Sequence, residues 1–105
     1  MHEATTLNRG VCLLLDRRGG VEFLILLPDA GADEAEEMMQ RLTERIESLS
    51  VETAPGNCIG VTVSVGVAEC APTLRVAEIY SRADEALYRA KDVGRNRVKV
   101  YRSLR

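Results

Sequence analysis

Val11-Cys12-Leu13-Leu14-Leu15, then Asp16-Arg17-Arg18-Gly19-Gly20-Val21-Glu22, then Phe23-Leu24-Ile25-Leu26-Leu27 sets two short apolar runs on either side of a glycine pair. Paired glycines supply the positive φ that a tight hairpin turn requires, so the stretch predicts two antiparallel strands, about 11–16 and 22–27. Pro28-Asp29 stops the second. Both runs are continuously apolar rather than alternating, which predicts a sheet covered on both faces.

Outward from the hairpin, residues 29–50 take helical periodicity. Asp33 and Glu36 stand three apart, as in a capping box. Ala35, Met38, Met39, Leu42, Ile46 and Leu49 form the apolar stripe, and Glu37, Arg41, Glu44, Arg45 and Glu47 form a solvated face with Glu37–Arg41 as its favourable i,i+4 pair. Val51–Asn57, containing Pro55-Gly56, reads as a polar loop. Residues 59–68 alternate: Ile59, Val61, Val63, Val65 and Val67 point one way, and Gly60, Thr62, Ser64, Gly66 and Ala68 the other. The large set fills a core; the small set admits a helix or a ligand, the helix being the commoner occupant.

Thr73 is placed to cap a second helix, about 74–92, with Val76, Ile79, Tyr80, Ala83, Ala86, Leu87 and Ala90 on its apolar side and Gly94 as its left-handed terminator. Tyr88 and Phe23 are expected in the core. Arg97–Tyr101 alternates as a last edge strand, with Lys99 guarding the edge. The order ββαβαβ predicts an α/β sandwich of the α+β kind: a mixed four-stranded sheet with packed helices.

A chain of 105 residues is expected to form one domain, with a polar lead segment (1–10), a core (11–101) and a tail (102–105). At this length roughly two-thirds of the unfolded-chain surface is buried, enough for a core without staples. Fourteen basic against sixteen acidic residues, a formal charge of −2, argue against bulk binding of nucleic acid. Cys12, Cys58 and Cys70 are odd in number and widely spaced, and His2 is the single histidine, so reduced thiols are expected rather than disulfides or a zinc site. No apolar run approaches the ~18 residues of a membrane span, and no signal peptide is read. A cytoplasmic location follows as the expectation.

Three ordered blocks resemble the diguanylate cyclase (GGDEF-domain) family. Gly19-Gly20-Val21-Glu22-Phe23 is similar to the family's signature loop, Gly-Gly-(Asp or Glu)-Glu-Phe. Val61-Thr62-Val63-Ser64-Val65-Gly66-Val67-Ala68 is similar to its Val-Thr-x-Ser-Ile-Gly-Val-Ala strand. Ala83-Asp84-Glu85-Ala86-Leu87-Tyr88-Arg89-Ala90-Lys91, with Gly94-Arg95-Asn96-Arg97-Val98, is similar to its last helix and exit. The resemblance covers about residues 11–101, with a fainter echo at Thr6-Leu7-Asn8-Arg9, and implies a truncated nucleotide-cyclase-like (ferredoxin-like) fold.

The family makes cyclic di-GMP from two GTP molecules held by a head-to-head pair of domains. Its metal site uses an acid at the end of the first strand and the third residue of the signature loop, and such phosphoryl transfer depends on divalent metal. The third residue here is Val21, which has no oxygen ligand and cannot accept a proton. The family's guanine-binding segment, between the first strand and the hairpin, is expected to be missing because the loop arrives at Gly19. The product-inhibition motif, Arg-x-x-Asp, would fall on Gly10 and Leu13 and is absent.

The first run aligns either with the family's second strand or with its first. The first-strand alignment leaves no gap in the sheet and puts the metal-ligand acid at Asp16, although a turn residue is the commoner role for an aspartate there. Asp16 with Glu22 makes a poor magnesium site. Lys91 and Arg95 match the family's phosphate-binding positions; cations at a helix C-terminus also offset its dipole. The implied function is a catalytically inactive, regulatory or protein-interaction domain in cyclic-di-GMP signalling, with a protein partner or a homodimer and no cofactor. The rival readings are a residual GTP or phosphate sensor, with magnesium accompanying GTP, and a fragment of an active cyclase.

Overall fold

The computed structural model describes residues 9–17 and 20–102. The elements run β1 (Gly10–Arg17), β2 (Val21–Pro28), α1 (Ala32–Glu47), β3 (Ser50–Ala54), β4 (Asn57–Gly60), β5 (Val63–Cys70), α2 (Val76–Asp92) and β6 (Val98–Val100). The predicted mixed four-stranded sheet with two helices is present, in the order β2-β1-β5-β6. β1 is antiparallel to both β2 and β5, and β6 is parallel to β5. β1 thus lies directly between β2 and β5, the gap-free arrangement of the first-strand alignment. Thr6-Leu7-Asn8, Arg18 and Gly19 lie outside the described residues.

The predicted hairpin forms, with Gly20 in its turn. Arg17 stands opposite Val21, and Gly20, at φ 97°, donates its N–H to the Arg17 carbonyl at 3.1 Å. β1 then alternates between two cores. Val11, Leu13 and Leu15 join Val63, Val65, Val67, Val98, Ala35 and Met39 beneath α1. Cys12 and Leu14 join Ala68, Cys70, Ile79, Ala83 and Leu87 beneath α2. Burying one such Val or Leu side chain contributes about 1.5–3 kcal/mol, so this double-sided strand is where the apolar run does most for stability.

The small face of β5 is occupied by a helix. A Cβ on Gly66 would collide with the Ala83 carbonyl oxygen and the Leu87 nitrogen. Both are backbone atoms of α2, which cannot move aside singly, so only glycine lets the helix sit this close.

Several boundaries differ from the sequence expectations. The predicted strand over 59–68 is two strands in different sheets: β4 pairs with β3 in a separate hairpin, and β5 starts after Val61-Thr62. Val51–Asn57 is therefore hairpin rather than loop, with Pro55-Gly56 at its turn and Glu52 Oε2 accepting the Gly56 N–H at 3.1 Å. Alternating β-branched residues specify extended backbone but not which neighbour it pairs with. α1 is capped at Gly31, whose N–H donates to Glu34 Oε1 at 3.1 Å, instead of by Asp33 and Glu36. α2 is capped at Arg75 with Glu78 in the same role at 2.9 Å, instead of at Thr73.

Phe23 and Tyr88 are exposed, not core, and so are Met38 and Leu49 of the first stripe and Val76 and Tyr80 of the second. Each helix buries a narrower stripe, Ala35-Met39-Thr43 and Ile79-Ala83-Ala86-Leu87-Ala90.

Candidate functional site

Asp16 closes β1 one residue before its end, opposite Ser64 on one side and Glu22 on the other. Cross-strand partners share a face, so all three stand on the α2 side of the sheet. Asp16 is 5% exposed and Ser64 is 2% exposed. A buried carboxylate needs charged or hydrogen-bonding partners. α2 and the turn after it provide them: Lys91 Nζ lies 3.0 Å and Arg95 Nη1 3.5 Å from Asp16 Oδ2. Asp16 is therefore a strand residue rather than a turn residue, and its carboxylate is the anion between two cations.

The end of α2 explains how both cations reach one oxygen. Lys91 projects from the last helical turn. Beyond the cap at Val93, the Arg95 N–H returns to the Ala90 carbonyl at 2.8 Å and the Gly94 N–H to the Lys91 carbonyl at 3.4 Å, a Schellman closure. Gly94, at φ 128°, supports it as predicted. Arg95 and Asn96 continue in the left-handed region at φ 63° and 52°, a conformation costing a non-glycine residue about 1–3 kcal/mol. That turn brings Arg95 back toward the sheet. It is held by the Asn96 N–H donating to Ser64 Oγ at 3.1 Å and the Val65 N–H donating to the Arg97 carbonyl at 2.9 Å. Ser64 and Asn96 are the members of the site that sequence reasoning missed as such. Their signal was present, since both lie within the quoted blocks.

Of the signature loop, Gly20 makes the turn, Val21 opens β2, Glu22 is exposed across from Asp16, and Phe23 is exposed. The donors do not fit a divalent cation. The one buried carboxylate among the described residues is in contact with Lys91 and Arg95, and the side chain of valine offers no oxygen. Among the described residues no three His, Cys, Asp or Glu side chains converge.

The thiols lie elsewhere. Cys12 and Cys70 are buried and free, and Cys58 is exposed and free. Burial, with Cys70 adding a smaller contribution, pushes the Cys12 thiol up to about 11, and burial also raises Cys70. Neither is a nucleophile at neutral pH. No helix among the described residues is long and apolar enough to cross a membrane.

Comparison with known proteins agrees with this geometry. The sequence model described as "Diguanylate cyclase, GGDEF domain" matches residues 9–97. The chain is 39% identical over 85 residues to diguanylate cyclase DgcM of Escherichia coli K12, covering 81% of this chain and 20% of that protein. It is 42% identical over 90 residues to the probable diguanylate cyclase DgcT of the same organism, covering 83% and 20%. It thus spans about one-fifth of the length of these curated relatives.

Among solved structures, the GGDEF domain of DgcB from Caulobacter crescentus, in complex with c-di-GMP, superposes with a TM-score of 0.83 at 21% identity over 91% of this chain and 77% of that one. Diguanylate cyclase SiaD of Pseudomonas aeruginosa, in complex with its activator SiaC, does so with a TM-score of 0.78 at 24% identity over 89% and 50%. These two likenesses concern the fold. With a family match over residues 9–97, which takes in β1 to α2 and the Asp16–Lys91–Arg95 cluster, the chain belongs to the GGDEF-domain family.

Proposed function

We propose that this chain is a catalytically silent GGDEF domain that serves cyclic-di-GMP signalling as a regulatory or protein-interaction module. The observation that carries the reading is the state of the strand-end acid. Asp16 is held by Lys91 and Arg95, while the loop position that would complete a metal site is Val21. Only the three residues 18–20 separate β1 from β2, so the connection has no room for a guanine-binding segment. A protein partner is supported by analogy with SiaD, whose structure contains an activator protein. The test is incubation of the purified chain with GTP and magnesium or manganese, with products separated by chromatography. No cyclic di-GMP is expected; measurable formation overturns the proposal.

A second reading, a residual phosphate or GTP sensor, is favoured by the convergence of Lys91 and Arg95 on one oxygen, a geometry that suits an anion of any origin. Calorimetric titration with GTP, with and without magnesium, discriminates. Binding that disappears in Lys91→Ala with Arg95→Ala puts the sensor reading first, and silence in both titrations removes it. A reading as part of an active cyclase requires the guanine-binding residues to come from another segment or chain, and the same GTP-conversion assay decides it.

A further inference from the structure

β2 is long, apolar and at the edge of the sheet. Phe23, Leu24, Ile25 and Leu26 are 54%, 54%, 38% and 51% exposed, although they alternate between the two faces. The stretch 23–26 is bare on both faces, while Leu27 packs against the core beneath α1, and among the described residues no strand lies beyond β2 in the order β2-β1-β5-β6. The opposite edge differs: β6 has three residues and carries Lys99, the short and charged design that discourages pairing. β2 has eight residues, with Glu22 its sole charge and Pro28 at its end. An edge lacking such guards is a template for another strand.

We infer that β2 pairs edge to edge, antiparallel, with β2 of a second copy, joining two four-stranded sheets into one. Self-complementarity selects this occupant. A twofold axis perpendicular to the sheet must centre on one residue, because opposite residues point to the same face. Centred on Leu24 or on Ile25, it places Glu22 opposite Leu26 or Pro28 and never opposite its own copy. The pairs around the centre are apolar throughout. The four bare side chains present on the order of 400 Å² per chain, of which edge pairing covers the flanks, less than half of the ~800 Å² per partner in a standard interface. With the backbone ladder added, the association is weak and concentration-dependent. This deepens the interaction part of the proposal above and does not depend on its catalytic part. GTP conversion tests the one and self-association the other, and each can fail alone.

The test is sedimentation of the full chain over a wide concentration range. A reversible rise from the 11.6 kDa monomer toward twice that mass is expected. Leu24→Lys, a change at an exposed side chain, is expected to weaken association at least tenfold with unchanged circular dichroism, while Tyr88→Lys on the exposed side of α2 leaves it unchanged. In a Cys58→Ser background, Leu24→Cys or Ile25→Cys is expected to form an interchain disulfide on mild oxidation, whichever lies on the axis. A monomer at every concentration overturns the inference. So does a dimer indifferent to Leu24→Lys, or a dimer in which neither cysteine variant cross-links.

Discussion

β1 and β2 are nearly the same string of residues, yet the structure treats them oppositely. Leu14 and Leu24 face each other across one ladder, and Leu14 is 2% exposed while Leu24 is 54% exposed. The carboxylates repeat the contrast one turn of the ladder away: Asp16 is buried and held by two cations, and Glu22 opposite it is exposed. Composition does not distinguish the strands. Position does: β1 is flanked by strands on both sides and by a helical core on each face, whereas among the described residues β2 has one neighbouring strand and meets the core beneath α1 at Leu27, with residues 23–26 left exposed.

The contrast can be broken most directly at the leucines. Leu14→Ala should cost about 2–5 kcal/mol in denaturant unfolding, because it leaves a cavity between β1 and α2. Leu24→Ala should cost less than about 1 kcal/mol, since most of that side chain is already in water. Equal losses would mean that β2 is covered in solution. Measured below and above the self-association range, the same pair also separates burial by the fold from burial by a second copy.

Next in size are the charges. Lys91→Ala together with Arg95→Ala should destabilise by about 2–4 kcal/mol by leaving Asp16 buried without a counter-ion. Asp16→Asn should cost less, because both cations are partly exposed and can return to water. Thermal melts of the three proteins check this order; a costlier Asp16→Asn would show that the carboxylate holds the turn at Arg95 and Asn96 rather than being held by it.

A smaller effect is alkaline. The Cys12 thiol titrates near 9.0 in the unfolded chain and is pushed to about 11 when folded. The unfolded state then loses its proton first as pH rises, so the folded state's advantage, full below about 9, declines through about 11. The loss should be about 1–3 kcal/mol, measured as the difference between the wild type and Cys12→Ala, since other groups titrate in the same range. At neutral pH a thiol reagent should label Cys58 at once and reach Cys12 and Cys70 only on unfolding. Smallest of all, Glu22→Gln should change stability by no more than about 0.5 kcal/mol, which a denaturant midpoint can bound.

Much of the fold was legible from local chemistry. The glycine pair predicted the hairpin, the 3.6 periodicity predicted both helices, and the small residues of β5 predicted a close helix, realised at Gly66 against Ala83 and Leu87. Phe23 and Tyr88 were not legible: a lone aromatic in an apolar run reads as core, and only the arrangement of helices over the sheet decides whether anything covers it. The β4–β5 division was hidden for a similar reason, since alternation continues unbroken through Ile59-Gly60-Val61-Thr62 while the pairing partner changes.

The site divides along the same line. Sequence by itself determined the chemical inventory: a valine where the loop would need an acid, an aspartate at a strand end, and two cations four residues apart at a helix end. These are properties of residue type and local spacing, set by covalent order and backbone periodicity. Only the tertiary structure decided that Asp16, 75 and 79 positions away from Lys91 and Arg95, would receive both. That meeting requires β1 beside β5, α2 drawn close by Gly66 and the left-handed turn after Gly94. The same arrangement buries β1 from both sides and leaves β2 open, because a sheet has two edges and only the packing of the whole chain selects which strand becomes one.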